Sequence, residues 1–358
     1  SGIVLSVSSL NSVFTNPVLG TVRSASSSLG APTTIETGRI TIGAAIAFNS
    51  TFRYTGSGEI TDRMINFNFN SGATYTVENT GGSSSLLKFV STPMSNGTST
   101  GGVILGGNGN GEFTGGLPFN FTNLTKNDSG TWTLGGAVGT GNGSSGAGVV
   151  TVNAGTLALQ KKVSIMNGDM TKWTAAKINV KNNATLALNV DSADVNGISA
   201  TSLNTLLTNI SVAGTAAQGL QSGARIGLDT STATGGTFTQ GDAIANSTGT
   251  SGGAIGLTKL GTGTLILDKV NTYTGPTTVS AGILVVNGST DSASAVNVNT
   301  GGTVQERLLL SADGFGGTTY GNGDPFGGDG TGGTVNLRAT AGATVGLAVG
   351  STAADDLL

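Results

Sequence analysis

The chain has 358 residues, of which 61 are glycine and none are cysteine or histidine. These absences exclude Ser-His-Asp and Cys-His nucleophiles, thiolate and imidazole metal sites, and disulfides. A net charge of −3 with 37% hydrophobic residues is not that of a disordered chain. No apolar run approaches the ~20 residues of a membrane-spanning helix, and the acidic balance argues against a nucleic-acid partner.

Short strands are predicted along most of the chain, because apolar and small polar residues alternate. The clearest examples are Leu5-Ser-Val7, Ile40-Thr-Ile42, Ile65-Asn-Phe67-Asn-Phe69 and Val296-Asn-Val298. Such strands place one face on a core and expose a face of Ser, Thr or Asn. The chain is therefore predicted to be all-β.

Residues 1–125 differ in composition from the rest of the chain. They contain nine of the twelve phenylalanines, and residues 83–125 contain only two charged residues, Lys88 and Glu112. We interpret 1–125 as a strand-rich, Phe-rich N-terminal region or cap. The repetitive part is then 126–358.

Charge is also uneven, because residues 126–181 carry six lysines against two aspartates. We expect these lysines to lie on a solvated loop face, or to form a basic zone that meets the acidic end of a second subunit. They are Lys126, Lys161, Lys162, Lys172, Lys177 and Lys181.

One short helix is predicted near 199–210. Apolar residues recur there at i, i+3, i+4 and i+7, after Ser and Thr residues that suit a helix N-cap. The apolar positions are Leu203, Leu206, Leu207 and Ile210.

A strand, turn, strand unit recurs six times with a small residue at its corner. The six copies begin at Phe67, Val150, Ile178, Thr277, Val296 and Val335. Stacked coils of a parallel β-helix require such a pattern, because successive corners lie directly above one another and must be small. We therefore predict a parallel β-helix, or β-solenoid, with a β-sandwich as the alternative.

Residues 259–288 resemble the passenger-associated transport repeat, also called the autotransporter-associated β-strand repeat. The matching elements are Gly261-x-Gly263-Thr-Leu, Asn271-Thr-Tyr-Thr-Gly275 and Thr278-Val-x-Ala-Gly282. Residues 126–159 are similar but lack the Asn-Thr-Tyr-Thr-Gly element. The resemblance implies a secreted bacterial right-handed parallel β-helix, located outside the cell or on its surface, with no particular enzymatic activity.

The two ends of the chain are apolar and alternating, which predicts free strand edges. Ile3, Leu5 and Val7 form one such pattern, and Val345, Leu347 and Val349 form the other. Unpaired edges accept additional strands. We therefore expect the chain to bind itself head to tail through these residues, unless both ends pair within their own chain.

Catalytic and metal sites are not indicated strongly by any motif. Asp191 and Asp194 form the one close carboxylate pair in the middle of the chain, and we expect a turn there rather than a glycosidase pair. Asp313, Asp324 and Asp329 lie among glycines, where calcium is the single cofactor considered. Catalytic residues and other cofactors are expected to be absent.

The main function predicted is that of a structural, non-enzymatic extracellular subunit of a bacterial filament, sheath or surface layer. The alternative is an autotransporter passenger or adhesin that binds glycans or matrix polysaccharide. A polysaccharide-active β-helix enzyme is the third reading.

Overall fold

The computed structural model describes residues 2–16, 21–23, 27, 29–43, 48–69, 72–95, 101–117, 121–137, 148–212, 218–308, 337–339 and 344–349. The chain forms two compact units, Ser1–Leu186 and Ala187–Leu358. The division predicted at 125/126 from composition therefore falls inside the first unit.

Short strands build the first unit. They are β1 (Ile3–Val7), β2 (Phe14–Asn16), β3 (Thr21–Arg23), β4 (Ile40–Ile42), β5 (Ser50–Tyr54), β6 (Glu59–Thr61), β7 (Ile65–Phe67), β8 (Thr74–Asn79), β9 (Leu86–Phe89), β10 (Met94–Ser95), β11 (Gly102–Gly106), β12 (Asn110–Phe113), β13 (Asn123–Lys126), β14 (Thr131–Leu134), β15 (Val149–Val152), β16 (Thr156–Leu159) and β17 (Ile178–Val180).

Parallel pairing between coils organises these strands into sheets. One sheet runs in the order β1-β5-β8-β11-β13-β15-β17, a second runs β6-β9-β12-β14-β16, and β10-β7-β4 form a third. Residues pair in register, so one position recurs from coil to coil. The outward row is Thr51, Thr76, Ile104, Thr125 and Thr151, and the next residue in register, Asn179, is buried.

The strand β13 crosses the predicted 125/126 division. It pairs in parallel with β11 on one side and with β15 on the other. The Phe-rich region is thus continuous with the coils that follow it, because the same register of inward apolar residues runs through both.

Aromatic side chains fill part of the interior of the first unit. Phe89 stacks on Phe113 with ring centroids 5.0 Å apart, and Phe113 lies 5.5 Å from the Trp132 ring. Trp132 pairs in register with Gly111, and the indole occupies the space that a side chain at Gly111 would need. Its Nε1 donates to the Gly106 carbonyl at 2.9 Å, which satisfies the buried indole N–H.

The buried Arg63 holds N-terminal segments against the coils. Its guanidinium donates to the carbonyl oxygens of Asn11 and Gly30 and to Ser27 Oγ, at 2.8 to 3.2 Å. Burial lowers the pKa of Arg63, while the nearby Asp62 and Glu59 carboxylates oppose this effect. These hydrogen bonds give the N–H groups of the buried guanidinium their acceptors.

The strand β18 (Thr185–Asn189) spans the division between the units, and the second unit continues from it. Its strands are β19 (Gly219–Leu220), β20 (Arg225–Asp229), β21 (Thr237–Gln240), β22 (Gly256–Leu260), β23 (Thr264–Leu267), β24 (Thr277–Val279), β25 (Gly282–Val286), β26 (Val296–Val298), β27 (Gly302–Leu308), β28 (Leu337–Ala339) and β29 (Thr344–Val349). Two sheets run in the orders β20-β22-β24-β26-β28 and β21-β23-β25-β27-β29, again by parallel pairing.

The helix α1 (Ala200–Ile210) confirms the helix predicted near 199–210. Ser199 is its N-cap, because Ser199 Oγ accepts from the Ser202 N–H at 3.2 Å. The helix buries the four predicted apolar residues. Single 3₁₀ turns occur at Lys162–Ser164, Met166–Gly168, Met170–Lys172 and Thr234–Gly236.

The predicted parallel β-helix is therefore confirmed, and the alternative β-sandwich is wrong. A sandwich requires antiparallel sheets, whereas the coils here pair in parallel through long runs of the chain. The right-handed sense of the coil stays a prediction.

Candidate functional site

The predicted N-terminal assembly residues lie on β1, which is the edge strand of its sheet. The backbone of β1 pairs in parallel with β5 of the same chain at Ile3, Leu5 and Val7. This end of the chain is therefore paired internally along one edge of β1. Ile3 and Leu5 remain 65% and 41% exposed, while Val7 is buried. No strand among the described residues pairs with the other edge of β1.

The predicted C-terminal assembly residues lie on β29. Val345, Leu347 and Val349 are in register with positions of β27 in the same chain. Both predicted ends thus pair internally on one side. Their role in self-association stays a prediction.

The acidic candidates separate into two cases. Asp313, Asp324 and Asp329 lie outside the described residues, so calcium binding there stays a prediction. Asp191 and Asp194 form the expected turn: Asp191 Oδ1 accepts from the Ala193 N–H at 2.9 Å, and Asp194 Oδ1 accepts from the Asn196 N–H at 2.8 Å.

The second Asp191 oxygen is also occupied, because Thr234 Oγ1 donates to it at 2.9 Å. Burial works to raise the pKa of Asp191, but the hydrogen bonds from Ala193, Thr234 and Asp194 outweigh it and hold that pKa below its ordinary value. An ionised carboxylate that serves a turn is not a general acid. Both Asp191 oxygens and Asp194 Oδ1 therefore accept hydrogen bonds from neighbouring residues of the fold.

A buried lysine marks the first corner of residues 124–159. Lys126 is fully buried, and its ammonium donates to the carbonyl oxygens of Asn127 at 2.5 Å, Asp128 at 2.7 Å and Ala154 at 3.1 Å. The first two oxygens belong to its own corner, and the third belongs to the corner of the next coil. The expectation that Lys126 lies on a solvated face is wrong, because three carbonyls replace water around its charge.

Lys259 repeats this arrangement in residues 257–286. It is fully buried and donates to the carbonyl oxygens of Leu260 at 2.8 Å, Gly261 at 2.8 Å and Ala281 at 3.1 Å. We call these two arrangements, Lys126 and Lys259 each with its three carbonyl oxygens, the lysine clamps. Each clamp joins two consecutive corners of the stack.

Burial lowers the pKa of both clamp lysines to about 8. Asp128 opposes the shift at Lys126, and Asp229 opposes it at Lys259. Both side chains are consequently charged at neutral pH, and the ammonium has three N–H donors for three carbonyl acceptors.

A glycine follows the third carbonyl in each clamp. Gly155 and Gly282 adopt φ of 62° and 66°, a region that favours glycine. A Cβ at Gly155 would collide with the Asp128 and Gly130 carbonyl oxygens, and a Cβ at Gly282 would collide with those of Gly261 and Gly263. The small corner residue predicted from the repeats is therefore required for two reasons. The positive φ favours glycine, and the neighbouring carbonyl oxygens leave no space for a side chain.

The Asn271-Thr-Tyr-Thr-Gly275 element builds a second corner in residues 257–286. Asn271 Oδ1 accepts from the Ile244 N–H at 2.9 Å, and its Nδ2 donates to the Lys269 and Ser289 carbonyls at 2.7 and 3.0 Å. A Cβ at Gly275 would collide with the Ile255 carbonyl oxygen.

A chain of hydroxyls continues this corner into the next coil. The Tyr273 hydroxyl lies 2.6 Å from Thr277 Oγ1, which lies 3.0 Å from Ser294 Oγ, and Ser294 Oγ donates to the Gly275 carbonyl at 2.8 Å. Burial raises the pKa of Tyr273 to about 12. The motif residues thus serve the fold itself.

A small apolar cavity in the first unit is lined by residues that include Leu124, Val150, Leu159 and Ile178. The described residues include no group of three or more acidic side chains placed to hold a metal ion. No helix in the described part of the chain has the length and apolarity needed to cross a membrane.

The lysine clamps are the feature that sequence reasoning missed. Lys126 was predicted to be solvated together with five other lysines of residues 126–181, because a charged residue is seldom fully buried. The available signal was positional: Lys126 and Lys259 occupy the same place in the two aligned repeats, two residues after an inward apolar residue.

Comparison with known proteins agrees with the repeats. The passenger-associated-transport-repeat family model matches residues 124–159 and 257–286. The adhesin BmaC autotransporter of Brucella suis biovar 1 (strain 1330) is 31% identical over 191 residues, which cover 53% of this chain and 5% of that protein. The chain thus spans a small part of the length of this relative. No solved structure matches the chain with statistical significance.

These matches confirm the resemblance carried by residues 259–288 and extend it to the degenerate copy. The stacked coils, the two repeats and the autotransporter relative agree with one another. The chain is a secreted or cell-surface parallel β-helix that carries two passenger-associated transport repeats.

Proposed function

We propose that this chain is a passenger segment of an autotransporter-type adhesin, displayed at the bacterial surface. The observation that carries the proposal is the presence of two transport repeats in a chain that is 31% identical to an autotransporter adhesin over 191 residues. The alternative given above thus takes precedence over the filament subunit, which the comparisons do not support.

The construction of the coils suits display. Each coil contacts its neighbours only, so coils are added without a change in the core. Inward side chains hold the stack, while outward rows such as Thr51, Thr76 and Thr125 remain free to face a ligand. We propose uncharged polysaccharide of the host or matrix as the ligand class, because these outward positions carry hydroxyls rather than charge.

Beads that carry the chain test adhesion directly. Under flow over immobilised polysaccharide, they should be retained several-fold more than beads that carry an unrelated cysteine-free protein. An excess of soluble chain should abolish retention of the beads, because the soluble chain occupies the same sites on the immobilised polysaccharide. Retention equal to the control on every polysaccharide and matrix surface would contradict the adhesin proposal.

We also propose that the chain has no catalytic activity. The Asp191 and Asp194 carboxylates serve a turn, and the buried polar groups of the repeats hold corners. Neither the family description nor the name of the relative specifies an enzyme. Incubation with polysaccharide and assay for new reducing ends should give the blank rate, and a rate that falls in D191N would contradict this proposal.

End-to-end self-association is a second proposal, favoured by the exposure of Ile3, Val4 and Leu5 on the edge strand β1. A second copy that adds a strand there would cover these side chains and pair the open backbone groups. The full chain should then sediment as polymers, and deletion of residues 1–9 should leave monomers. Polymers that persist after the deletion would exclude β1 as the joint.

A further inference from the structure

Aliphatic rows inside a β-helix carry little information about register. The clamp lysines interrupt such rows: Lys126 is in register with Leu105 and Val152, and Lys259 is in register with Leu228 and Val279. A shift of two residues keeps apolar side chains inside, because strand residues alternate with a period of two. Something other than hydrophobicity must therefore select the native pairing.

The lysine clamps constrain the alignment of two consecutive coils, because their hydrogen bonds depend on direction and distance. The contacts of the aliphatic neighbours do not depend on direction in this way. Two of the three carbonyl acceptors, at Leu260 and Gly261, move with Lys259 because they lie directly after it. The third acceptor, the Ala281 carbonyl, belongs to the next coil and lies 3.1 Å from the ammonium in the native register, so its position depends on how the two coils are aligned. Ala154 has the same relation to Lys126.

We propose that Lys126 and Lys259 are register-determining residues, each of which selects the coil and the alignment that follow it in the stack. A two-residue shift moves the third carbonyl by about 6.6 Å along the coil, away from the ammonium N–H that it accepts from, and a buried unpaired donor is costly. A buried polar group that sets alignment at the expense of stability is known from coiled coils.

The charges near each clamp are consistent with this role. Asp128 uses Oδ2 to accept from the Gly107 N–H of the preceding coil at 2.8 Å. Asp229 uses Oδ1 to accept from the Ser231 N–H, also at 2.8 Å. Each carboxylate therefore serves a backbone group, and carbonyl oxygens are the direct partners of the ammonium.

Pairs of engineered cysteines report register in this chain, because it has no native cysteine. Thr258 and Thr278 face outward in β22 and β24 and pair in register. In-register parallel strands lie close enough for a disulfide, whereas a two-residue offset separates the Cα atoms by more than about 7 Å. The pair T258C/T278C thus reports the native alignment, and T258C/S280C reports the shifted one.

The experiment compares full-length chains that are unfolded in guanidinium, refolded and mildly oxidised. With Lys259 present, T258C/T278C should cross-link and T258C/S280C should not. With K259M, whose side chain is of similar length but uncharged, native cross-linking should fall at least twofold and shifted cross-linking should rise at least twofold. The exposed Lys269 supplies the matched control, and K269M should keep the native pattern.

Three results would overturn the proposal. An unchanged cross-linking pattern in K259M would show that the aliphatic core selects the register alone. A fall in native cross-linking with no rise in the shifted pair would indicate loosening of the coils. Failure of K259M to fold, judged by far-ultraviolet circular dichroism, would make Lys259 a requirement for stability instead.

A second reporter tests the clamp at Lys126 independently. Thr125 and Thr151 pair in register on β13 and β15, and Val149 lies two residues before Thr151. In K126M, cross-linking should move from T125C/T151C toward T125C/V149C. A shift at one clamp with none at the other would restrict the role to a single repeat and overturn the general proposal.

Discussion

The two transport repeats share their lysine clamps but differ in the corners beyond them. In residues 257–286, Tyr273 begins the chain of hydroxyls that ends at Ser294 of the next coil, whereas residues 124–159 have no counterpart of the Asn-Thr-Tyr-Thr-Gly element. Both repeats keep a fully buried lysine, three carbonyl acceptors and a glycine at positive φ. The shared part is therefore the junction between consecutive coils.

Interior packing differs between the repeats in a complementary way. Trp132 pairs with Gly111, whereas the equivalent Leu265 pairs with Phe238. In the first repeat a tryptophan opposes a glycine, whereas in the second a leucine opposes the large aromatic ring of Phe238. The same position of the repeat thus accommodates different combinations of inward side chains, each packed within its own coils.

The largest predicted effect is a pH dependence of the free energy of unfolding, to which the two lysine clamps should contribute equally. Burial lowers the pKa of both lysines to about 8, whereas an unfolded lysine has a pKa of about 10.4. The unfolded chain binds these protons more tightly, so the free energy of unfolding should rise between pH 8 and pH 10, by about 5 kcal/mol for both lysines. Urea titrations at several pH values measure this rise.

The variants of the clamp lysines are the controls for this pH dependence. The rise should halve in K126M and in K259M and disappear in the double variant. Above pH 10 the trend should reverse, because Tyr273 keeps its proton to about pH 12 while an unfolded tyrosine loses it near 10. Parallel curves for wild type and the double variant would contradict the buried charge.

Exchange of Trp132 and Leu265 tests how closely each repeat is packed. W132L should lower the free energy of unfolding by about 3 kcal/mol, since it leaves space above Gly111 and frees the Gly106 carbonyl. L265W should cost a similar ~2–3 kcal/mol by overpacking against Phe238. Urea unfolding measures both changes, and a neutral L265W would show that the second repeat has unfilled space.

The corner glycines should separate conformational strain from collision. G282A should cost about 3 kcal/mol, because alanine adopts the positive φ and its methyl group meets two carbonyl oxygens. G301A is the control, since Gly301 has φ of 85° with open space around it, and should cost about 1 kcal/mol. An equal loss in the free energy of unfolding for G282A and G301A would show that collision with the carbonyl oxygens adds nothing to the cost of the positive φ.

The smallest effect concerns the corner found in one repeat. Y273F removes the hydroxyl that contacts Thr277 Oγ1 but leaves the Thr277 and Ser294 contact in place. The free energy of unfolding should fall by about 1 kcal/mol, and its decline above pH 10 should weaken. A loss well above that value would mean that the hydroxyl chain acts as a unit.

Alternation and repeated corners made the fold predictable from the sequence. Strands such as Ile40–Ile42 and the helix ending at Ile210 follow from local periodicity, which the coils preserve. The buried lysines did not follow, because their cost is offset by carbonyls that lie 22 and 28 residues away in the chain. Pairing of Trp132 with Gly111 likewise depends on register, which local sequence does not specify.

The outward row from Thr51 to Thr151 has a consequence for how such a surface evolves. Its side chains face away from the core, and the alignment of coils is held by inward residues and corners. Substitutions along the row therefore alter the side chains at the surface while the inward contacts that hold the coils are unchanged. A surface built in this way is able to vary by point mutation at a smaller cost in folding than substitution of the inward residues would carry.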